Sequence, residues 1–152
     1  METTFDPTHP FELAHADSAP RSPAVSRRRY WSGVTASGLA VAFLLFDGGI
    51  KLVNIPPVVD AFAHLGYPVQ LACGIGLLEL TCLALYVIPR TACLGALLLT
   101  GFLGGAISTH LRIGDPWFSH TLFPIYVALL LWGGLALRDP RPLALLRGTP
   151  AR

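Results

Sequence analysis

The chain is expected to be all-α: a four-transmembrane-helix up-down-up-down bundle, with a short interfacial helix between the first and second spans. Three observations predict this. Of the 152 residues 53% are hydrophobic and only 13% charged, about half the charged share of soluble domains. Four windows, Gly33 to Val53, Val69 to Ile88, Thr91 to Leu111 and Trp117 to Leu137, are apolar over the roughly 20 helical residues that a bilayer core requires. The basic residues are lopsided as well. If the chain crosses four times, Arg21, Arg27, Arg28, Arg29, Arg90, Arg138, Arg141, Arg147 and Arg152 share one side and only Lys51 and Arg112 the other. That asymmetry places both termini in the cytoplasm, N-in and C-in.

A soluble bundle is the competing architecture, but its helices would carry a polar stripe at every third or fourth residue. Windows such as Gly95 to Ile107 carry none. Between Trp31 and Leu137 only Asp47, Lys51, Asp60, Glu79, Arg90, Arg112 and Asp115 are charged, too few to coat helices in water. The net charge of +2 is too small to point to nucleic acid.

Residues 1–29 hold Pro7, Pro10, Pro20 and Pro23 among Ser, Ala and scattered charge, and are read as a disordered cytoplasmic tail before a membrane domain of residues 30–138. Ser26-Arg27-Arg28-Arg29-Tyr30 resembles a twin-arginine export signal and Ala40-Val41-Ala42 a cleavage site. Cleavage there would discard half of the first span, so the segment is read as retained. After span one, Pro57 to Leu65 sets Val58, Val59, Phe62 and Leu65 on one helical face and Asp60 and His64 on the other. That pattern, opened by proline and stopped by Gly66, predicts a short helix lying in the outer interface. Pro89-Arg90 and the stretch Arg112 to Pro116 leave almost no loop between the later spans, which makes consecutive helices antiparallel neighbours. Tyr30, Trp31, Tyr86 and Trp132 fall near the inner ends and Tyr67 and Trp117 near the outer ones, as an interfacial aromatic belt would. Residues 139–152 form a basic cytoplasmic tail suited to anionic lipid.

Small residues mark the faces expected to meet. Gly101, Gly105, Ser108 and Arg112 form one stripe in span three, with a G-x-x-x-G contact; Ala72, Gly76 and Glu79 form another in span two; Ala36, Ala40, Asp47, Lys51 and Asn54 form a third in span one. Each stripe carries charge, and a charge at membrane depth demands a partner or water. Asp47 and Lys51 stand four apart with the acid first, the favourable order on a helix. Counted from the outer ends at 1.5 Å per residue, Glu79 lies roughly 15 Å deep and Asp47 roughly 9 Å. The long side chains of Lys51 and Arg112 can reach down to them, so two acids and two bases would balance. The expectation is a polar ligand-binding site in the outer half of the bundle built from Asp47, Lys51, Glu79, His110 and Arg112, with Glu79 as its floor. His110 and His120 flank its mouth, and Pro124 is expected to free the carbonyl of His120 at that level. The competing reading is a charge network that only fixes helix register.

Other chemistries lack their residues. Cys73, Cys82 and Cys93 form no C-x-x-C pair, and Cys73 and Cys82 lie on opposite helix faces. Nothing specifies haem ligation by His110 and His120. No metal site, nucleotide-binding loop or hydrolase motif is expected, and no catalytic residue can be assigned.

Phe46-Asp47-Gly48-Gly49-Ile50-Lys51, Phe62-Ala63-His64-Leu65-Gly66-Tyr67-Pro68, Leu78-Glu79-Leu80, Ile88-Pro89-Arg90-Thr91, Gly104-Gly105-Ala106 and Thr109-His110-Leu111-Arg112-Ile113-Gly114-Asp115-Pro116 together resemble the DoxX-like family of small bacterial membrane proteins over about residues 32 to 140. The resemblance implies a four-helix bundle in the bacterial cytoplasmic (inner) membrane. It carries over Asp47, Lys51, Glu79, His110, Arg112 and Asp115, and links the wider DoxX and DoxD group to thiosulfate:quinone oxidoreduction or membrane redox complexes. The function expected is a small-molecule-binding or accessory subunit, quinone- or redox-linked. A quinone-dependent oxidoreductase and a structural subunit of a membrane complex are the alternatives. The partners implied are the lipid bilayer, an amphipathic small molecule or quinone, and a membrane redox partner or a second copy; the cofactor stays open.

Overall fold

The computed structural model describes residues 26–139. Residues 1–25 of the tail expected to be disordered and the basic tail after Asp139 lie outside the described residues, whereas Arg27, Arg28 and Arg29, assigned to that tail, form the first turn of α1. Within them the protein is all-α, with five α-helices: α1 (Arg27–Val53), α2 (Pro56–Leu65), α3 (Leu71–Val87), α4 (Ala92–Ile113) and α5 (Phe123–Arg138). A π-helical turn, Trp117–Thr121, leads into α5.

Local chemistry sets the boundaries. The Ser26 hydroxyl accepts the Arg29 N–H at 3.3 Å and so starts α1. Asn54, in the left-handed region at φ 51°, ends it, and Pro56 holds Ile55 extended. Prolines 56 and 57 occupy the first turn of α2, where a missing N–H costs nothing. Gly66 at φ 71° closes α2, with the Tyr67 N–H on the Phe62 carbonyl at 2.9 Å; Gly114 at φ 75° closes α4 the same way, with the Asp115 N–H on the His110 carbonyl at 3.1 Å. Pro89 stops α3 by holding Ile88 extended.

The membrane pattern differs from expectation in number. Three segments are long and apolar enough to cross a bilayer: Arg27–Val53, Ala92–Ile113, and Trp117–Arg138, which joins the π turn to α5. α3 has 17 residues, because the chain is still turning at Pro68 and Val69 and Pro89 ends the helix early. Pro124 lies in the first turn of α5 instead of inside a longer helix, so it initiates the element.

α1 packs against α3 and α5, α4 packs against the same two helices, and α2 rests on α4. The core between them contains Leu44, Leu83, Tyr86, Leu99, Leu103, Leu131 and Leu135. Large apolar side chains also cover the outside, with Leu39 and Leu97 60% exposed and Phe46 66%. An apolar surface of this extent is what hydrocarbon solvates and water does not. α2 buries Val58 and Phe62 against Ala72, flanked by Ile50, Ile55 and Ile75, and so covers one end of α1 and α3.

Close approach falls at Gly76, which the spacing favoured, and at Gly48 and Gly134, which it did not single out. A Cβ on Gly76 of α3 would stand 2.8 Å from the Gly48 carbonyl of α1, and one on Gly134 of α5 would stand 2.2 Å from the Ser37 hydroxyl of α1. By contrast, Gly101 and Gly105 are exposed, with nothing near an added Cβ. α4 carries small residues on two faces, and the face bearing the bulky Leu99 and Leu103 is the one that fills the core. The stripes of α1 and α3 meet at Lys51, which lies against Gly76 and Glu79; that of α4 faces outward. Tyr86, expected at the interface, is 1% exposed, because it continues the buried series Ala72, Gly76, Glu79, Leu83 on one face of α3. Its hydroxyl donates to the Leu131 carbonyl at 2.9 Å and lies 2.8 Å from the Ser37 hydroxyl, which satisfies it away from water.

Candidate functional site

Gly48 and Gly76 bring the α1 and α3 backbones into contact, and the residues just beyond them form the first polar cluster. Lys51 Nζ donates to Asp47 Oδ2 at 2.5 Å along α1 and to Glu79 Oε2 at 2.8 Å across to α3. The Phe102 ring of α4 lies 5.7 Å from the same ammonium, close enough for a cation–π attraction. Glu79 is wholly buried, and among the described residues its Oε1 has no hydrogen-bond partner. The Asp47 side chain is 33% exposed and gives the cluster an opening. Two carboxylates surround one ammonium, so the group carries one formal negative charge when all three are ionised.

The second base that the sequence suggested for this cluster goes elsewhere. The Arg112 guanidinium donates to the Leu65 carbonyl at the end of α2 and lies 5.8 Å from the Tyr67 ring. It thereby satisfies an orphan carbonyl at a helix terminus. Nearby, Asp115 bridges two histidines: Oδ1 stands 2.9 Å from His64 Nε2 and Oδ2 stands 2.6 Å from His110 Nδ1. The His120 ring is 5.7 Å from that of His110. The Tyr67 hydroxyl meets that of Thr109 at 3.1 Å. These contacts fasten α2 to the end of α4.

The five residues singled out in the sequence thus fall into two groups. Asp47, Lys51 and Glu79 form one hydrogen-bonded cluster; His110 and Arg112 belong to the fastening of α2. Sequence reasoning missed His64, Tyr67 and Thr109 as partners there. Gly66 and Gly114 were the available signal, since two helix stops at neighbouring ends imply that the residues around them meet. Among the described residues no group of three or more His, Cys, Asp or Glu side chains is arranged to hold a metal ion. All three cysteines are free, with Cys82 buried and Cys73 and Cys93 exposed. Two cavities, of about 800 and 490 Å³, lie away from both groups, around the start of α1 and the end of α3.

Hydrogen bonding to His110 first, and then to His64, holds the Asp115 carboxyl below its ordinary value of 3.8. A depressed carboxylate contributes stability above the unfolded value and loses it as pH falls through the folded one. The fastening of α2 is therefore expected to weaken on acidification below about pH 4. Amide hydrogen exchange across α2, read at pH 5 and pH 3, checks this. Asp115→Asn is expected to remove most of the difference; an unchanged difference would count against the role of this carboxylate.

The profile of the DoxX-like family matches residues 35–134, more than half of the chain. No curated protein and no solved structure matches it.

Proposed function

From the premise that the chain belongs to the DoxX-like family, we propose that it is a four-span membrane protein whose Asp47, Lys51 and Glu79 cluster binds the polar head of a small amphipathic molecule. It acts as a binding or accessory subunit rather than alone. In this reading α3 crosses with the three longer helices, and α2 lies in the outer interface above the cluster. Both termini face the cytoplasm of a bacterial inner membrane, as the arginine distribution favours.

One observation carries the reading: Glu79 Oε1, fully buried and without a donor among the described residues. A carboxylate oxygen left unsatisfied inside apolar surroundings costs several kcal/mol in a bare site. The net negative charge of the cluster asks for the same thing, a partner that brings a hydrogen-bond donor. A hydroxylated ring of the quinol type has that chemistry, and its apolar body suits the Phe102 side of the cluster. The redox association of the wider group supports this choice of ligand class without supplying a reaction.

The test compares a short-tailed benzoquinol with its dimethyl ether, which has the same ring and no O–H. Purified protein is expected to bind the quinol at least about tenfold more tightly, since a site built around a donor rejects an analogue lacking it. Glu79→Gln should abolish the preference. Equal binding of the two compounds would sink the proposal. A second reading, a structural subunit in which Lys51 fixes the register of α1 on α3, is favoured by the bond that Lys51 makes between the two helices. It predicts that charge replacement lowers stability and leaves retention of small molecules unchanged.

A further inference from the structure

An open surface groove of about 800 Å³ lies along α1, where Leu130 of α5 forms part of its wall, and the binding site proposed above does not use it. Its lining changes character down the helix. Arg27 and Arg28 stand at one end, then Trp31, then Ala36 and Leu39 opposite Leu130. The two hydroxyls on the way are already spent on the helix backbone, Ser32 on the Arg28 carbonyl and Thr35 on the Trp31 carbonyl, each at 3.0 Å. Polar capacity in the groove therefore resides in the two guanidinium groups. Among the described residues neither arginine forms an ion pair. From Arg28 to Leu39 the groove runs about 16 Å along the axis, cationic at one end and apolar at the other.

We propose that this groove binds one anionic glycerophospholipid. Its phosphate sits on Arg27 and Arg28, its glycerol lies level with Trp31, and an acyl chain follows Ala36, Leu39 and Leu130. Each part meets the chemistry it needs. Guanidinium is the side chain best matched to phosphate oxygens. Trp31, 55% exposed, has the amphipathic ring that settles at headgroup depth. Ala36 leaves the width that a larger side chain would fill. A zwitterionic lipid offers the same phosphate but brings an ammonium toward two cations that have no acidic partner among the described residues, so the groove selects for net negative charge.

The experiment is native mass spectrometry of the full chain from detergent, with equal amounts of phosphatidylglycerol and phosphatidylcholine. The wild type is expected to retain phosphatidylglycerol about tenfold or more in preference. The Arg27→Gln, Arg28→Gln double variant should lose that preference, whereas Arg29→Gln, outside the groove, should keep it. Ala36→Trp leaves every charge in place and fills the groove; it should lose the adduct by a similar factor. Leu39→Trp, at a position already 60% exposed, provides the same obstruction if Ala36→Trp does not fold. Equal retention of the two lipids by the wild type overturns the proposal. So does undiminished retention by the groove-filling variants, which would reduce the effect to surface attraction.

Discussion

Lys51→Met is expected to destabilise the protein by about 3–5 kcal/mol, the range for removing one partner of a buried ion pair. The substitution keeps the length and apolar stem of the side chain. What it removes is the only cation on Glu79 among the described residues, and it leaves two carboxylates facing each other across the contact between α1 and α3. Thermal unfolding in detergent can be followed through alkylation of Cys82, which is 5% exposed and reacts only when the bundle opens. Cys73 and Cys93, already exposed, give the immediate background. A combined Asp47→Asn, Lys51→Met, Glu79→Gln variant should recover most of the loss, because a cluster removed whole leaves no unpaired ion behind. If that triple variant were as unstable as the single one, packing of the lysine stem, and not charge, would be the cause.

Gly95→Ala should be as damaging with one added carbon. Its Cβ would stand 2.2 Å from the Tyr86 nitrogen and 2.5 Å from the Tyr86 Cα, so the obstacle is backbone and not the end of a flexible side chain. Relief requires α4 to move away from the end of α3, and that movement would open the core around Ala96 and Leu99, both 0% exposed. Overpacking that shifts backbone costs about 3 kcal/mol or more in such a place. The matched control is Gly101→Ala, at an exposed position with nothing near the new Cβ, where substitution should be neutral or slightly stabilising through helix propensity. Thermal midpoints of the two variants, measured side by side, decide the point; equal midpoints would mean that the close approach at Gly95 is not a constraint.

Helix existence was legible because it rests on composition and on punctuation by proline and glycine. Pro56, Gly66, Pro89 and Gly114 each act on the backbone within a residue or two, and each falls at or beside an element boundary. Helix rotation was less legible. For α1 and α3 the charged residues that meet, Lys51 and Glu79, were read correctly, since small residues and charge lay on the same face of each, although Gly48 was not foreseen at the contact. α4 has glycines on one face and leucines on the other, and periodicity cannot say which of two apolar faces turns inward when the surroundings are apolar as well. The candidate site divided along the same line. The contact between Lys51 and Glu79 followed from depth along neighbouring helices, a quantity that counting residues gives. Arg112 was assigned to Glu79 by the need to balance charge, yet a long side chain near a helix end has carbonyls within reach and took one of those instead.

The 17 residues of α3 reach about 25 Å against a hydrocarbon layer of about 30 Å. In the four-span reading proposed above, lipid around this helix thins by a few ångströms or the helix sits off-centre, at a fraction of a kcal/mol for each ångström of mismatch. On that reading the bilayer is expected to dimple on one flank, beside the ends of α1 and α3 that α2 covers. Short-chain lipids should gather along that flank, and water there should stand nearer to Asp47 than a uniform slab would allow.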